Sequence, residues 1–289
     1  MTRLHRAVEK AEREGRLSWT LPETRPPAQP QEPEPLDPPA TAAPPDADAF
    51  ALADPVAMPS QPADGDLGMD PLFVAVTAPG SLAAEQYRLL RTRIESHEQG
   101  RRTQILLVTS PRIGDGKTTT SANLALTMAQ EFQQRVVLVE ADLRRPTLAA
   151  QFGVRSEPGL VDVLVGAATL DEALVNVPDH QISLLSAGLP AARSSELLAS
   201  TMMQRTLTAL RGRFTRIVID TPPVALADTH VLARLADGVL VVVRAGVTPK
   251  PAVERALAGV DRDRLMGIVL NEVDETADEY AYAGRVAGE

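Results

Sequence analysis

The residues best equipped for chemistry lie in one run, Ile105 to Ser121, which reads ILLVTSPRIGDGKTTTS. Ile105, Leu106, Leu107 and Val108 read as a strand, a short loop follows, and Lys117, Thr118 and Thr119 open a helical segment. Gly114 and Gly116, on either side of Asp115, let the backbone turn so that its N–H groups point inward at an anion. The helix behind them adds the positive end of its dipole. Lys117 is then placed to reach the β- and γ-phosphates of a nucleotide, and the Thr118 hydroxyl to ligate Mg²⁺. The pattern G-x-x-x-x-G-K-[ST] is met except at its first position, where Pro111 stands.

Two further strands end in carboxylates. Val136 to Asp142, VVLVEAD, is apolar until Glu140 and Asp142, and Arg144, Arg145 and Pro146 follow. Arg216 to Pro223, RIVIDTPP, carries Ile217, Val218 and Ile219 into Asp220. An apolar strand ending in Asp is common, but behind a phosphate loop it is the pattern of the carboxylate that holds Mg²⁺. Open α/β sheets bind ligands at the C-terminal ends of their strands, so these acids belong beside the loop.

The elements that must position them alternate along the chain. Leu82 to Glu98 reads as an amphipathic helix on which Glu85, Arg88 and Arg91 project from one side. After the loop, a helix runs through about Phe132. Residues 147 to 175 read as short helices separated by Gly153, Pro158-Gly159 and Gly166. Ile182 to Leu185 is a strand, Ser194 to Arg211 a helix, and Asp228 to Ala236 a helix. Gly238 to Val243 is a strand, Pro249 to Gly259 a helix, and Leu265 to Leu270 a strand ending at Asn271. Apolar strands alternating with helices predict an α/β fold: a doubly wound, mostly parallel sheet with helices on both faces.

Composition bounds the rest. The 289 residues are 44% hydrophobic but only 3% aromatic, which implies an aliphatic core. A net charge of −9 argues against nucleic acid as a partner, and the absence of cysteine excludes disulfides and thiolate metal sites. No run of about 18 apolar residues is present, and the first residues lack the apolar centre of a secretory signal, so membrane contact is expected only through a partner. Residues 1–20 read as a short helix with a thin apolar face. Residues 21–71 hold more than half of the chain's 24 prolines and read as a disordered spacer. The folded domain is expected over 72–273. Residues 274–289 form a polar, acidic tail that carries Tyr280 and Tyr282, two of the three tyrosines.

Taken in order, the phosphate loop, VVLVEADLRRPTL, LVDVLVG, ISLLSAG with SSELLAS, RIVIDTPPVALADT and GIVLN resemble the bacterial tyrosine kinases of capsule and exopolysaccharide synthesis. The likeness covers roughly residues 72–289, and its most specific piece is the strand ending in acid-x-Asp-x-Arg-Arg-Pro. The resemblance implies ATP and Mg²⁺ as cofactors, with Lys117 cradling the phosphates, and Thr118, Asp142 and Asp220 holding the metal. It places Asn271 near the adenine and Arg144 near the site. It makes Glu140 the candidate base for a tyrosine hydroxyl, although the family pattern has Asp there and Glu reaches about 1.5 Å further. Glu85, Arg88 and Arg91 match the family's subunit contact, which implies a ring-shaped homo-oligomer with transfer between subunits. Tyr280 and Tyr282 stand where the family carries a denser run of phosphorylated tyrosines. The resemblance further implies a separate transmembrane activator, the polysaccharide co-polymerase, and a cytoplasmic kinase at the inner face of the plasma membrane.

Two alternatives share the loop. One is a positioning or partitioning ATPase of the MinD/ParA type, whose early signature lysine is replaced here by Arg112. The other is a regulatory homologue that binds nucleotide without transferring phosphate, a reading motivated by Pro111, Glu140 and the sparse tail tyrosines.

Overall fold

The computed structural model describes residues 69–98, 103–177 and 180–273. The expected N-terminal helix, most of the proline-rich spacer, and the tail with Tyr280 and Tyr282 lie outside the described residues. The elements run α1 (Val74–Thr77), α2 (Leu82–His97), β1 (Ile105–Thr109), α3 (Lys117–Ala129), β2 (Val136–Glu140), α4 (Leu148–Gln151), α5 (Leu160–Val165) and α6 (Leu170–Ala173). They continue with β3 (Leu174–Val177), β4 (Ile182–Leu185), α7 (Ser194–Leu198), α8 (Thr201–Arg213), β5 (Arg216–Asp220), α9 (Ala227–Ala233), β6 (Gly238–Arg244), α10 (Lys250–Ala258) and β7 (Leu265–Asn271).

The strands form one sheet in the order β3-β4-β2-β5-β1-β6-β7. Every pairing is parallel except β3 with β4. All residues of β1, β2 and β5 are buried, which is why they are continuous apolar runs rather than alternating ones. Successive side chains go to opposite faces. Ile105, Leu107, Val137, Val139, Ile217 and Ile219 pack on one face with Leu160, Leu207 and Leu210 of α5 and α8. Leu106, Val108, Val136, Leu138 and Val218 pack on the other with Ile94 of α2 and Leu124 and Met128 of α3. The core is mostly aliphatic; its buried aromatics are Phe214 and a tilted Phe73–Phe152 pair with ring centroids 4.6 Å apart.

Local chemistry sets the helix ends. Ser81 caps α2 by accepting from the Ala84 N–H, and Thr169 and Glu172 close a reciprocal capping box at α6. The helix expected from Ser194 to Arg211 is two helices, α7 and α8, because Ser200 takes an extended conformation and caps α8 by accepting from Met203 N–H. The helical stretch expected to run to residue 175 gives way at Leu174 to β3, an antiparallel edge strand. The helix after the phosphate loop stops at Ala129, short of Phe132.

No helix among the described residues is long and apolar enough to cross a membrane.

Candidate active site

The parallel sheet brings the ends of β1, β2 and β5 together. Glu140 is in register with Asp220, and Asp220 with Val108, so the acids and the loop after β1 emerge from one edge. In that loop Gly114 and Gly116 have φ of +86° and +93°, the left-handed conformation that glycine adopts without strain. Gly116 caps α3, and Lys117 opens it.

Lys117 Nζ stands 3.2 Å from Asp142 Oδ2, 4.0 Å from Asp220 Oδ2 and 3.1 Å from Thr118 Oγ1. The Thr118 hydroxyl donates to Asp220 Oδ2 at 2.8 Å. Asp142 Oδ1 accepts from the Arg145 N–H at 3.2 Å, which aims the carboxylate back over the loop. Burial pushes the Asp220 carboxyl above the usual carboxylate range, against the pull of Lys117 and the Thr118 hydroxyl. Its Oδ1 is buried without a hydrogen-bond partner. An orphaned, desolvated carboxylate oxygen beside a hydroxyl and a second carboxylate is a hard oxygen set, and it fits Mg²⁺.

Comparison with known proteins agrees with this geometry. A family model described as an AAA domain matches residues 103–262, more than half of the chain. Tyrosine-protein kinase YwqD of Bacillus subtilis (strain 168) is 33% identical over 215 residues, which cover 73% of this chain and 90% of that protein. The chain belongs to the bacterial tyrosine-protein kinases. Tyrosine-protein kinase CpsD of Streptococcus agalactiae serotype III (strain NEM316) is 30% identical, with 68% of this chain and 85% of that one covered. The putative tyrosine-protein kinase EpsB of Ralstonia solanacearum is 31% identical, but the match spans only 29% of its length. Among solved structures, the kinase domain of the Escherichia coli tyrosine kinase ETK superposes with a TM-score of 0.67 at 29% identity, over 72% of this chain and 84% of that one. The chimerical protein CapA2B2 gives 0.68 at 25%, over 72% and 93%.

Within this family frame, Glu140 takes an unexpected place. It is buried, Oε1 accepts from the N–H groups of Thr147 and Leu148, and Oε2 accepts from that of Ala187. Burial raises its pKa, with the three backbone donors pulling the other way. Both oxygens of Glu140, the expected base, accept from backbone, and the carboxylate fastens the start of α4 and the segment after β4 to β2. Asp142 is the acid of the pair that faces Lys117.

Arg144 and Asn271 also find partners. Arg144 Nε donates to Asp228 Oδ2 at 3.0 Å. Asp228 is fully buried and accepts from the hydroxyls of Ser194 and Ser195 as well. Burial alone would raise the Asp228 carboxyl, but Arg144 and the two serines outweigh it and hold it below the usual range. Asn271 Nδ2 donates to the Asp115 carbonyl at 3.1 Å. Thr119 is half-buried, and its carbonyl accepts from Asn123 Nδ2 at 2.9 Å.

The three α2 residues do not act alike. Arg88 pairs with Glu85 at 2.6 Å, and both remain part-exposed. Arg91 instead turns inward. Its Nη1 donates to the Thr127 carbonyl at 3.0 Å in the last turn of α3, and its Nε lies 2.9 Å from Glu131 Oε1 just past that helix. Glu85 and Arg88 are therefore the open part of the expected subunit contact, and Arg91 serves the chain's own packing.

Reading the sequence for site residues missed Asp228, Ser194 and Ser195. All three lie inside quoted motifs, SSELLAS and VALADT, but spacing along the chain carries no sign of a bond between residues 144 and 228.

Proposed function

We propose that this chain transfers the γ-phosphoryl group of ATP to tyrosine hydroxyls on the C-terminal tail of a neighbouring copy, at Tyr280 and Tyr282. The observation that carries the reading is the meeting of Lys117, Thr118, Asp142 and Asp220 at the mouth of a glycine loop. The loop N–H groups and Lys117 bind the phosphates and offset charge that builds on the transferring group. Asp142 orients the phenol and takes its proton. The phenol oxygen forms a bond to the γ-phosphorus, the bond from that phosphorus to the bridging oxygen breaks, and ADP leaves with the electron pair. Thr118, Asp142 and Asp220 would hold Mg²⁺, which when bound supplies positive charge to the phosphate oxygens. Asn271 would lie near the adenine. Arg144, tied to Asp228, steadies the segment that carries Asp142.

Glu85 and Arg88 support assembly into a ring in which one copy's tail enters another's site. Each phosphate adds about −1.5 to −2 charges to an acidic tail, which favours release by repulsion. The names of the kinases it is similar to, together with the motif likeness, support control of capsule or exopolysaccharide polymerisation and export. A separate membrane-spanning activator would then bring the kinase to the inner face of the plasma membrane.

The test is incubation of the purified chain with Mg-ATP, alone and with its membrane partner, and mapping of phosphotyrosine beside Lys117→Met. Label on Tyr280 and Tyr282 in wild type alone is the expected result. Nucleotide binding without label would favour a regulatory homologue, and hydrolysis without label an ATPase switch.

A further inference from the structure

Asp115 poses an electrostatic problem. It stands between the two glycines of a loop expected to bind a highly charged anion, and its own charge would repel that anion if it faced inward. The side chain is instead buried and turned away. Oδ2 accepts from the Arg112 N–H at 2.9 Å, which closes the loop on itself. Oδ1 accepts from the Thr248 hydroxyl at 2.7 Å.

Thr248 lies in the turn between β6 and α10. Its Oγ1 also accepts from the Arg244 N–H at 3.2 Å. A hydroxyl has one proton to give, and with the Arg244 donor on its lone pair that proton goes to Asp115. The Thr248 N–H donates to the Arg244 carbonyl at 3.0 Å, so the turn holds the hydroxyl in place. On the same residue, the Asp115 carbonyl takes the Asn271 amide at 3.1 Å. The ends of β6 and β7 are thus both joined to the phosphate loop through Asp115.

We propose that Thr248 is a positioning residue for nucleotide binding: through Asp115 it keeps residues 112–116 in the curve that presents their N–H groups before any nucleotide arrives. This rests on the reading of the loop as a nucleotide site, and it adds a residue from outside every phosphate-binding motif. A preformed loop spends no binding energy on ordering itself. Loss of the hydroxyl frees the Asp115 carboxylate to swing toward the phosphates, so ground-state affinity falls. Lys117, Asp142 and Asp220 stay where they are, so the chemical step does not.

The full chain is titrated with a fluorescent ADP analogue, with and without Mg²⁺, as wild type, Thr248→Val and Thr248→Ser. The valine matches threonine in shape and lacks the proton. Thr248→Val is expected to weaken ADP about tenfold, the size of one hydrogen bond to a charged acceptor. It should raise KM for ATP by a similar factor with kcat within about twofold, and Thr248→Ser should restore wild-type values. Equal ADP affinity in wild type and Thr248→Val overturns the proposal, and so does a Thr248→Ser variant as weak as the valine. Should Thr248→Val not fold, Thr248→Ala takes its place: it also lacks the hydroxyl and leaves the Asp115 charge in place, weaker ADP binding is expected, and unchanged binding overturns the proposal. A wild type that binds ADP but labels no tyrosine removes the kinase reading and leaves the ADP comparison decisive here. A wild type that binds no nucleotide removes both.

Discussion

Lys117 and Asp142 form a mostly buried ion pair, with Nζ 3.2 Å from Oδ2 and side chains only 13% and 10% exposed. The lysine that is to meet phosphate therefore rests on acids beforehand and neutralises a site that would otherwise hold two unbalanced carboxylates. Lys117→Met should remove a phosphate-facing donor and cut phosphotyrosine yield by roughly 10²- to 10³-fold. It should also lower stability by about 3 kcal/mol, because a charge left behind in a desolvated site is costly. Lys117→Met with Asp142→Asn should regain much of that stability in urea unfolding and none of the transfer. A single variant as stable as wild type would show that the acids do not need the lysine.

Asp220 Oδ2 accepts from the Thr118 hydroxyl beside one distant ammonium, and its Oδ1 is buried without a hydrogen-bond partner. A group that the fold leaves charged, buried and half-satisfied costs stability until a cation arrives. Asp220→Asn should therefore leave the melting temperature of the metal-free chain unchanged or higher. It should raise the Mg²⁺ needed for half-saturating ATP binding by about tenfold or more. Melting curves and Mg²⁺ titrations check the two halves separately, and a lowered melting temperature without Mg²⁺ counts against the metal role.

The loop and the three strand-end acids were legible because each is a local pattern: an apolar run, then a residue type that such a run cannot bury cheaply. The parallel, doubly covered character of the sheet follows from the same runs, but its strand order does not: β7, also largely apolar, lies at an edge. The site residues Asp228 and Thr248 were not legible, because their bonds cross from one loop to another and leave no period in the sequence. β3 was hidden for a different reason. Thr169 to Ala173 carries a strong capping box, and Leu174 to Val177 is an edge strand too short to show alternation against the helix it follows. Glu140 was legible as an acid at the right place, but the length of its side chain matters only once the N–H groups of residues 147, 148 and 187 are seen around it.

Those three donors make a definite claim about Glu140. Glu140→Gln keeps Oε1 for Thr147 and Leu148 and presents its amide to Ala187, so it should cost about 1–2 kcal/mol. Glu140→Asp draws the carboxylate back by about 1.5 Å and loses its reach to the start of α4. It should cost more, on the order of 2–4 kcal/mol, and lower phosphotyrosine yield rather than raise it. Urea unfolding and tail labelling of the two variants check this. A Glu140→Asp variant that transfers phosphate faster than wild type would restore the acid at 140 as the base.

Far from the site, Asp237 offers a test of charge alone. Its Oδ2 accepts from the N–H groups of Gln104 at 3.0 Å and Ile105 at 2.8 Å, and its Oδ1 accepts from Arg211 Nη2 at 2.7 Å. Burial pushes the carboxyl up, but Arg211 and the two backbone donors outweigh it, and the folded-state pKa lies below the ordinary 3.8. The unfolded chain then binds the proton more tightly than the folded one. The contribution of Asp237 is complete above the unfolded value and is lost as pH falls through the folded one. The stability gap between wild type and Asp237→Asn should be flat from about pH 8 to about pH 5 and close below about pH 4. Taking the difference between two proteins cancels Glu140 and Asp220, whose raised values act in the opposite direction. A gap that stays open to about pH 2 in urea midpoints would mean that packing at Asp237, and not its charge, anchors the start of β1 to the turn before β6.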